Sequence, residues 1–380
     1  MENKIYKLAV IGCGSRARGV ISHLIDDDPN RKIEVVSIYD PDPAVMKNAA
    51  DKWNCTTAKH CSSYQEAIDF PGVDWVMVFS PNAFHKEHVV AAFKAGKHVF
   101  SEKPLATQID DCVAINDAHQ ASGKHFATGF VLRYSRLYRK VKEILDSGIL
   151  GKIMVIEGNE NIPPEHGGYI MCNWRRHTAV SGPHILEKCC HDLDLIEWFA
   201  GDVPLKVSAM GGKNFFIPEN NHLLEKYGKD TFMSWPDPHR IDTPFSDDND
   251  LMDNLVSIAE FRNSIRVSFA CSMSNAIPER RLSFCCSEGT LKLDLYQRKV
   301  SYRVVGDPII HTLDFSNCDN HGGGDKFIME ELYDTISNDV PPKCAGREGL
   351  LSAVYAIAIN EVAVSGKIVD LTSIRQKLNV

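Results

Sequence analysis

Four residues able to ionise or coordinate recur at helical spacing in mid-chain: His184, Glu187, Lys188 and His191. On one continuous helix, positions i, i+3, i+4 and i+7 stand one above another on a single face. Such a row can carry acid–base chemistry, because an imidazole with an ordinary pKa of about 6.5 exchanges protons near neutrality. It can equally be a surface helix with a plain Glu187–His191 pair. His184, Glu187, Cys190 and His191 could also hold a cation, but Lys188 lies among them and would repel it, so no metal is expected.

A second group lies near the start. Gly12-Cys13-Gly14-Ser15-Arg16-Ala17 follows a strand-like run and opens a helix-like one. Gly12 permits a tight turn, Gly14 lets the backbone approach a pyrophosphate, and Ala17 allows close helix–strand packing. The helix N-terminus beginning at Ser15 then offers free N–H groups to phosphate. Asp40, ending the second strand-like run, is placed to bind ribose hydroxyls and to repel a 2′-phosphate, which favours NAD over NADP. Arg16 and Arg18 leave NADP open. The alternatives are a ligand-free glycine turn and an Asp40 that merely starts a turn before Pro41.

These groups need elements to hold them. Short apolar runs at 8–11, 33–39, 75–80, 98–101 and 126–130 alternate with helical patterns such as 85–95, which ends at Gly96. That alternation predicts an α/β N-terminal Rossmann domain, a parallel doubly wound sheet over 1–128. A helix at 138–146, a strand at 152–158, a Pro/Gly-rich stretch at 162–168 and one helix at 183–199 follow. Then come a long polar stretch at 211–250 and strand-like runs at 255–261, 265–271, 281–286, 290–295 and 300–305. Helices near 326–337 and 348–364 close the chain. The region 129–380 is therefore expected to be a C-terminal α+β domain with a large, mostly antiparallel open sheet.

Substrate contacts are sought in loops over that sheet. Trp174-Arg175-Arg176-His177 offers a flat apolar face with donors, which suits a sugar. Trp235, His239, Asp248, Asn249 and Asp250 lie in or beside the polar stretch, a length without period that suits a lid. Each could also be plain solvated surface or a subunit contact. Asp325, after His321-Gly322-Gly323-Gly324, is expected to cap the next helix, and His321 is a further candidate contact.

Bulk properties set the class. A chain of 380 residues exceeds one compact core, and 44% hydrophobic with 24% charged residues describes a globular protein. The net charge of −8 argues against nucleic acid or an anionic membrane as partner. No apolar run approaching the roughly 18 residues of a membrane span stands out, nor does a signal peptide. Twelve cysteines without a C-x-x-C spacing read as reduced thiols, which places the protein in the cytoplasm.

Ser80-Pro81-Asn82-Ala83-Phe84-His85 and Ala95-Gly96-Lys97-His98-Val99-Phe100-Ser101-Glu102-Lys103-Pro104 strongly resemble the Gfo/Idh/MocA oxidoreductase family. Arg133-Tyr134 and the segment from Ser181 to Asp194 fit it as well, so the resemblance covers nearly the whole chain. It implies an NAD(P)-dependent enzyme acting on a secondary hydroxyl of a sugar or cyclitol, assembled as a homodimer or homotetramer. It also implies that Ser80, Pro81, Asn82, His85, Glu102 and Lys103 line the cofactor, that Arg133 faces substrate, and that Lys103, Glu187 and His191 form the catalytic group. Glu187 stands where many members carry Asp. Oxidising a carbinol sends a proton to a base, which His191 suits unperturbed, whereas Lys103, with an ordinary pKa of about 10.4, suits clamping the substrate oxygen. Exchange of those two roles stays open. His184, Lys188, Trp174, Arg175, Asp248 and Asn249 complete the expected substrate side. Two rivals share the cofactor: a redox-neutral glycoside hydrolase acting by transient C3 oxidation, and a catalytically silent NAD sensor.

Overall fold

The structure is a computed structural model that describes residues 4–25, 28, 30–237, 240–315 and 323–378. His239, His321 and Gly322 lie outside the described residues. The chain forms two compact units: Met1–Ser135 with Gly323–Leu350, and Arg136–Gly322 with Leu351–Val380.

In the first unit, β1 (Tyr6–Ile11), β2 (Ile33–Tyr39), β3 (Lys59–His60), β4 (Trp75–Val78), β5 (His98–Ser101) and β6 (Phe126–Thr128) form one sheet. The order of these six strands is β3-β2-β1-β4-β5-β6, and every pairing is parallel. Leu8 to Ile11 and Val76 to Val78 are completely buried, as strands covered on both faces must be. The strand order reverses between β1 and β4, the place where an open α/β sheet leaves a crevice at its carboxyl edge. The chain returns to this unit late, and the helix Gly324–Asn338 packs against the helix Ser15–Ile25 that follows the glycine loop.

The second unit is built on nine strands: β7 (Ile153–Asn161), β8 (Pro204–Gly212), β9 (Asn254–Phe261), β10 (Arg266–Ser272), β11 (Glu279–Cys286), β12 (Gly289–Asp294), β13 (Lys299–Val304), β14 (His311–Asp314) and β15 (Val369–Asp370). They lie in the order β14-β13-β12-β11-β7-β10-β9-β8-β15. Only β7 and β10 run parallel; the remaining pairings are antiparallel. Alternation along the strands buries Val267, Phe269, Leu282 and Phe284 on one face and exposes Val256 and Ile258 on the other.

Four expectations need correction. The Pro/Gly-rich stretch at 162–168 runs into a helix, Pro164–Cys172. Gly167 and Gly168 do not break it. A Cβ on either would collide with the carbonyl oxygens of Met273 and Phe232, so glycine here permits close packing. The polar stretch at 211–250 carries short helices, Leu223–Tyr227 and Asp230–Met233, around an apolar core of Phe216, Phe232 and Phe245 shared with Ile170 and Met171. Its aromatic residues were diluted by polar neighbours, which hid the core from any periodicity.

The single helix expected over 183–199 is two, His184–Glu187 and Cys190–Ala200, separated by a turn at Lys188 and Cys189. The row of four side chains on one face is therefore broken. Finally, the helix Gly346–Ser365 is long and apolar enough to span a membrane by length and composition, although 61% of its apolar window is buried in the protein. Its small residues (Gly349, Ser352, Ala353, Ala356, Ala358) masked that length in the sequence.

Candidate functional site

In the first unit the glycine loop is shaped as the motif requires. Gly12 has φ +84°, and a Cβ there would strike the backbone of Phe79 and Ser80, so no other residue fits. A Cβ on Gly14 would meet no atom within 4 Å, which leaves the loop open where a pyrophosphate must approach. Ala17 is fully buried in the first turn of the helix that starts at Ser15. Asp40 Oδ2 accepts the Cys13 N–H at 2.9 Å and Oδ1 accepts the Asp42 N–H at 3.0 Å. Each oxygen keeps a second lone pair, enough to accept the ribose hydroxyls of NAD. Open space at Gly14, the helix N-terminus and the placed carboxylate together fit this cofactor.

The two arginines are engaged within the protein. Arg16 Nε meets Glu102 Oε1 at 2.7 Å and its Nη1 meets Asp325 Oδ1 at 2.7 Å, while Arg18 Nη1 donates to the Cys13 carbonyl at 3.1 Å. The flanking carboxylates hold the Arg16 guanidinium firmly charged, its pKa above the ordinary value despite burial. Asp325 thus does not act as a helix cap. It lies in the first turn of the helix Gly324–Asn338, whose cap position is Gly323.

Glu102 Oε2 also accepts the Lys103 N–H at 3.1 Å, fixing the start of the E-K-P segment, whose Lys103–Pro104 peptide is cis. Lys103 itself is half-buried. His85 is wholly buried, with Nε2 2.9 Å from the Ser80 carbonyl oxygen and Nδ1 2.8 Å from that of Pro104. Burial keeps its pKa low, so the neutral ring donates to one of the two carbonyls at a time. His85 thereby ties the S-P-N segment to E-K-P from beneath. Ser80 Oγ lies 2.9 Å from His88 Nδ1, Asn82 is buried, and Pro81 and Arg133 are half-buried, Arg133 on the 3₁₀ turn Val131–Tyr134.

In the second unit the structure gathers a polar cluster around Glu187. Arg175 Nε donates to Glu187 Oε1 at 2.9 Å and its Nη1 to the Tyr169 hydroxyl at 3.3 Å. The same guanidinium lies over the rings of Trp174 and Tyr169, with its carbon 4.3 and 5.5 Å from the centroids. Tyr169 and His166 both contact the Trp235 ring. Burial, and then the Lys188 charge, push the His166 pKa well below its ordinary value, so this imidazole is neutral. Lys188 Nζ lies 3.5 Å from Glu160 Oε1, and His191 is buried in the first turn of Cys190–Ala200. A ring nitrogen of His184 lies within 4.8 Å of the Cys189 and Cys271 thiols.

Beneath Lys188 lies a buried ionic network. Arg280 grips Asp192 through two bonds of 2.8 Å and reaches Glu160 at 3.0 Å. Burial and the nearby Glu160 raise the Asp192 pKa, while Arg280 opposes them. Asp248 pairs with Arg176 at 2.8 Å, and Asp250 accepts both the N–H and the hydroxyl of Thr178 at 2.7 Å. Asn249 is buried, its side chain donating to the Ser246 carbonyl at 2.6 Å. Asp248 and Asp250 latch the polar stretch onto the W-R-R-H segment and the Thr178 that follows it, while Asn249 braces the stretch itself.

His166, Tyr169, Glu160 and Arg280 were missed from the sequence. His166 fell in the misread glycine stretch and Tyr169 on the unexpected helix that grows out of it, and the others lie on strands, where alternation gives no sign of an ion pair.

Fold, glycine loop and polar cluster define a dinucleotide-binding oxidoreductase. The chain belongs to the Gfo/Idh/MocA family: residues 6–130 match its NAD-binding Rossmann-fold model and residues 142–371 its C-terminal alpha/beta domain. It is an NAD-dependent dehydrogenase of that type. The protein YteT of Bacillus subtilis is 22% identical over 93% of this chain and 94% of its own length. Inositol 2-dehydrogenase 3 of Saccharopolyspora erythraea is 32% identical, a match spanning 52% of this chain and about half (54%) of that enzyme. Among solved structures, levoglucosan dehydrogenase in complex with NADH and levoglucosan superposes with a TM-score of 0.78 at 17% identity, covering 97% of this chain and 99% of that one. Myo-inositol 2-dehydrogenase from Lactobacillus plantarum gives 0.74 at 20% identity, covering 97% and 99%.

Proposed function

We propose that this enzyme oxidises, or in reverse reduces, a secondary hydroxyl of a sugar, polyol or cyclitol. The observation that carries the substrate class is the cluster in which Glu187, Arg175, Tyr169 and neutral His166 stand beside the rings of Trp174 and Trp235. A polyhydroxylated ring needs that combination: flat apolar faces for its C–H groups and fixed donors and acceptors for its hydroxyls.

Bound NAD supplies the hydride acceptor. His191 takes the hydroxyl proton, and the Lys103 ammonium holds the substrate oxygen as negative charge develops on it. Glu187, held by Arg175, accepts a neighbouring substrate hydroxyl and fixes which carbon presents its hydrogen. Glu102, clamped by Arg16, and His85, beneath the loop, keep Lys103 in place. Exchange of roles between Lys103 and His191 is distinguished by the pH profiles of the two variants.

A homodimer or homotetramer belongs to this reading. It is supported by Met210 and its cross-strand partner Val256, 81% and 59% exposed on one face of the large sheet, with Ile258 beside them. A reducing, cytoplasmic setting is supported by eleven free cysteines among the described residues.

The test is a panel of cyclitols, anhydrosugars, aldoses and aryl glycosides, with NADH and released aglycone followed together. Stoichiometric NADH from a cyclic polyol is expected. Aglycone release without NADH would replace this reading with a redox-neutral hydrolase, and NAD binding without either signal would replace it with a sensor.

A further inference from the structure

One cluster in the second unit has no part in the chemistry above. The Cys271 thiol near the end of β10, the Cys189 thiol in the turn between the two short helices, and a ring nitrogen of His184 all lie within 4.8 Å of one another. None of these residues is more than 3% exposed. Two sulfurs and an imidazole, facing one point in a closed core, are a donor set for soft metal ions rather than for Mg²⁺ or Ca²⁺, which demand oxygen ligands and water.

The dimensions agree. A thiophilic ion takes sulfur at about 2.3 Å and imidazole nitrogen at about 2.0–2.1 Å, so its ligand atoms stand about 3.8 Å apart. Side-chain rotation of about 1 Å closes the observed triangle to that size. This donor set shares only His184 with the row of His184, Glu187, Cys190 and His191, among which Lys188 stands. Glu187 is committed to Arg175, the Lys188 ammonium turns to Glu160, and the Cys190 thiol points at the Glu187 carbonyl, 3.9 Å away. Cys189 belongs to the turn between the two helices.

We propose that His184, Cys189 and Cys271 form a binding site for a thiophilic d10 cation, Cu⁺ or Zn²⁺, which braces the break between the helices bearing Glu187 and His191. On loading, each metal–sulfur bond forms as an S–H bond gives its proton to solvent, so two thiolates and a neutral imidazole hold the ion. Three protein ligands complete a trigonal Cu⁺ site, whereas Zn²⁺ adds a fourth ligand such as water. Loading requires no turnover, so its outcome is independent of the dehydrogenase reading.

The full-length protein, reduced and stripped with a chelator, is titrated anaerobically with Zn²⁺ and separately with Cu⁺ against a chromophoric competitor. One equivalent of at least one cation is expected to bind, a hundredfold or more weaker in Cys189→Ser and in Cys271→Ser, and unchanged in a Cys285→Ser control. X-ray absorption of the loaded wild-type protein, expected to show two sulfurs and one nitrogen at the ion, serves if either variant fails to fold. The proposal is overturned if neither cation binds stoichiometrically, if both variants retain wild-type affinity, or if the ion shows no sulfur ligands.

Discussion

Arg175 holds Glu187: the guanidinium Nε lies 2.9 Å from the carboxylate Oε1, and the Glu187 side chain is only 9% exposed. A carboxylate this buried needs its cation, and Arg175 also fixes which lone pairs remain for substrate. Glu187→Gln, which keeps shape but loses charge, is expected to lower kcat/KM by about 10–100-fold, the equivalent of a charge-assisted hydrogen bond. Arg175→Lys should recover little of an Arg175→Ala loss, because an ammonium cannot reproduce the planar fork over Trp174. Steady-state kinetics on the best substrate of the panel decide it.

Replacing His191 by Ala removes the proposed base from its buried position. Turnover should fall by about 10²–10⁴-fold while NAD affinity stays at the wild-type level. Near-wild-type turnover would sink the assignment.

Asp40 organises the glycine loop through the Cys13 amide, and its proposed role is to repel a 2′-phosphate. In Asp40→Ser, NAD should bind about tenfold more weakly, the scale of one or two lost hydrogen bonds. NADP should gain relative to NAD. A fluorescence titration with both cofactors measures the ratio, and an unchanged ratio would contradict the role given to this carboxylate.

Arg280→Ala would strip Asp192 of its bidentate partner and leave Glu160 with Lys188 alone in the core of the second unit. A loss of about 3–5 kcal/mol in unfolding free energy is expected, read from urea denaturation. Lys188 would lose a correctly placed Glu160 as well, so a rise in KM should accompany the destabilisation.

Stability should also fall in mild acid. His98 stacks on Trp75, its Nδ1 accepts the His125 N–H at 3.0 Å, and burial pushes its pKa from 6.5 down to about 4. The folded protein thus binds this proton more weakly than the unfolded chain does. The His98 contribution is complete above pH 6.5 and is lost as the pH falls toward about 4. Buried His88, held near 4 by the same cause, adds to the slope. Thermal unfolding between pH 7 and 4.5 should show a falling midpoint, shallower in His98→Gln; a flat profile would contradict it.

How much of this was legible depended on the range of the interaction. The glycine loop could be read because Gly12, Gly14 and Ala17 act on their immediate neighbours, and the strands could be read because burial on one or both faces leaves a local pattern. The helix Pro164–Cys172 could not. Glycine usually marks a break, and whether Gly167 and Gly168 mark one depends on Met273 and Phe232, far away in sequence.

The sequence by itself determined the dinucleotide-binding fold and its NAD cofactor, and it marked the residues proposed for the chemistry, because each is a property of a short segment. Tertiary structure decided the partners. Glu187 with Arg175, Lys188 with Glu160, Asp192 with Arg280, and His184 with Cys189 and Cys271 all follow from which backbone segments meet. An even helical row admitted any of those pairings. The meeting of segments far apart in the chain, with a turn at Lys188 and Cys189 interrupting the row, chose among them.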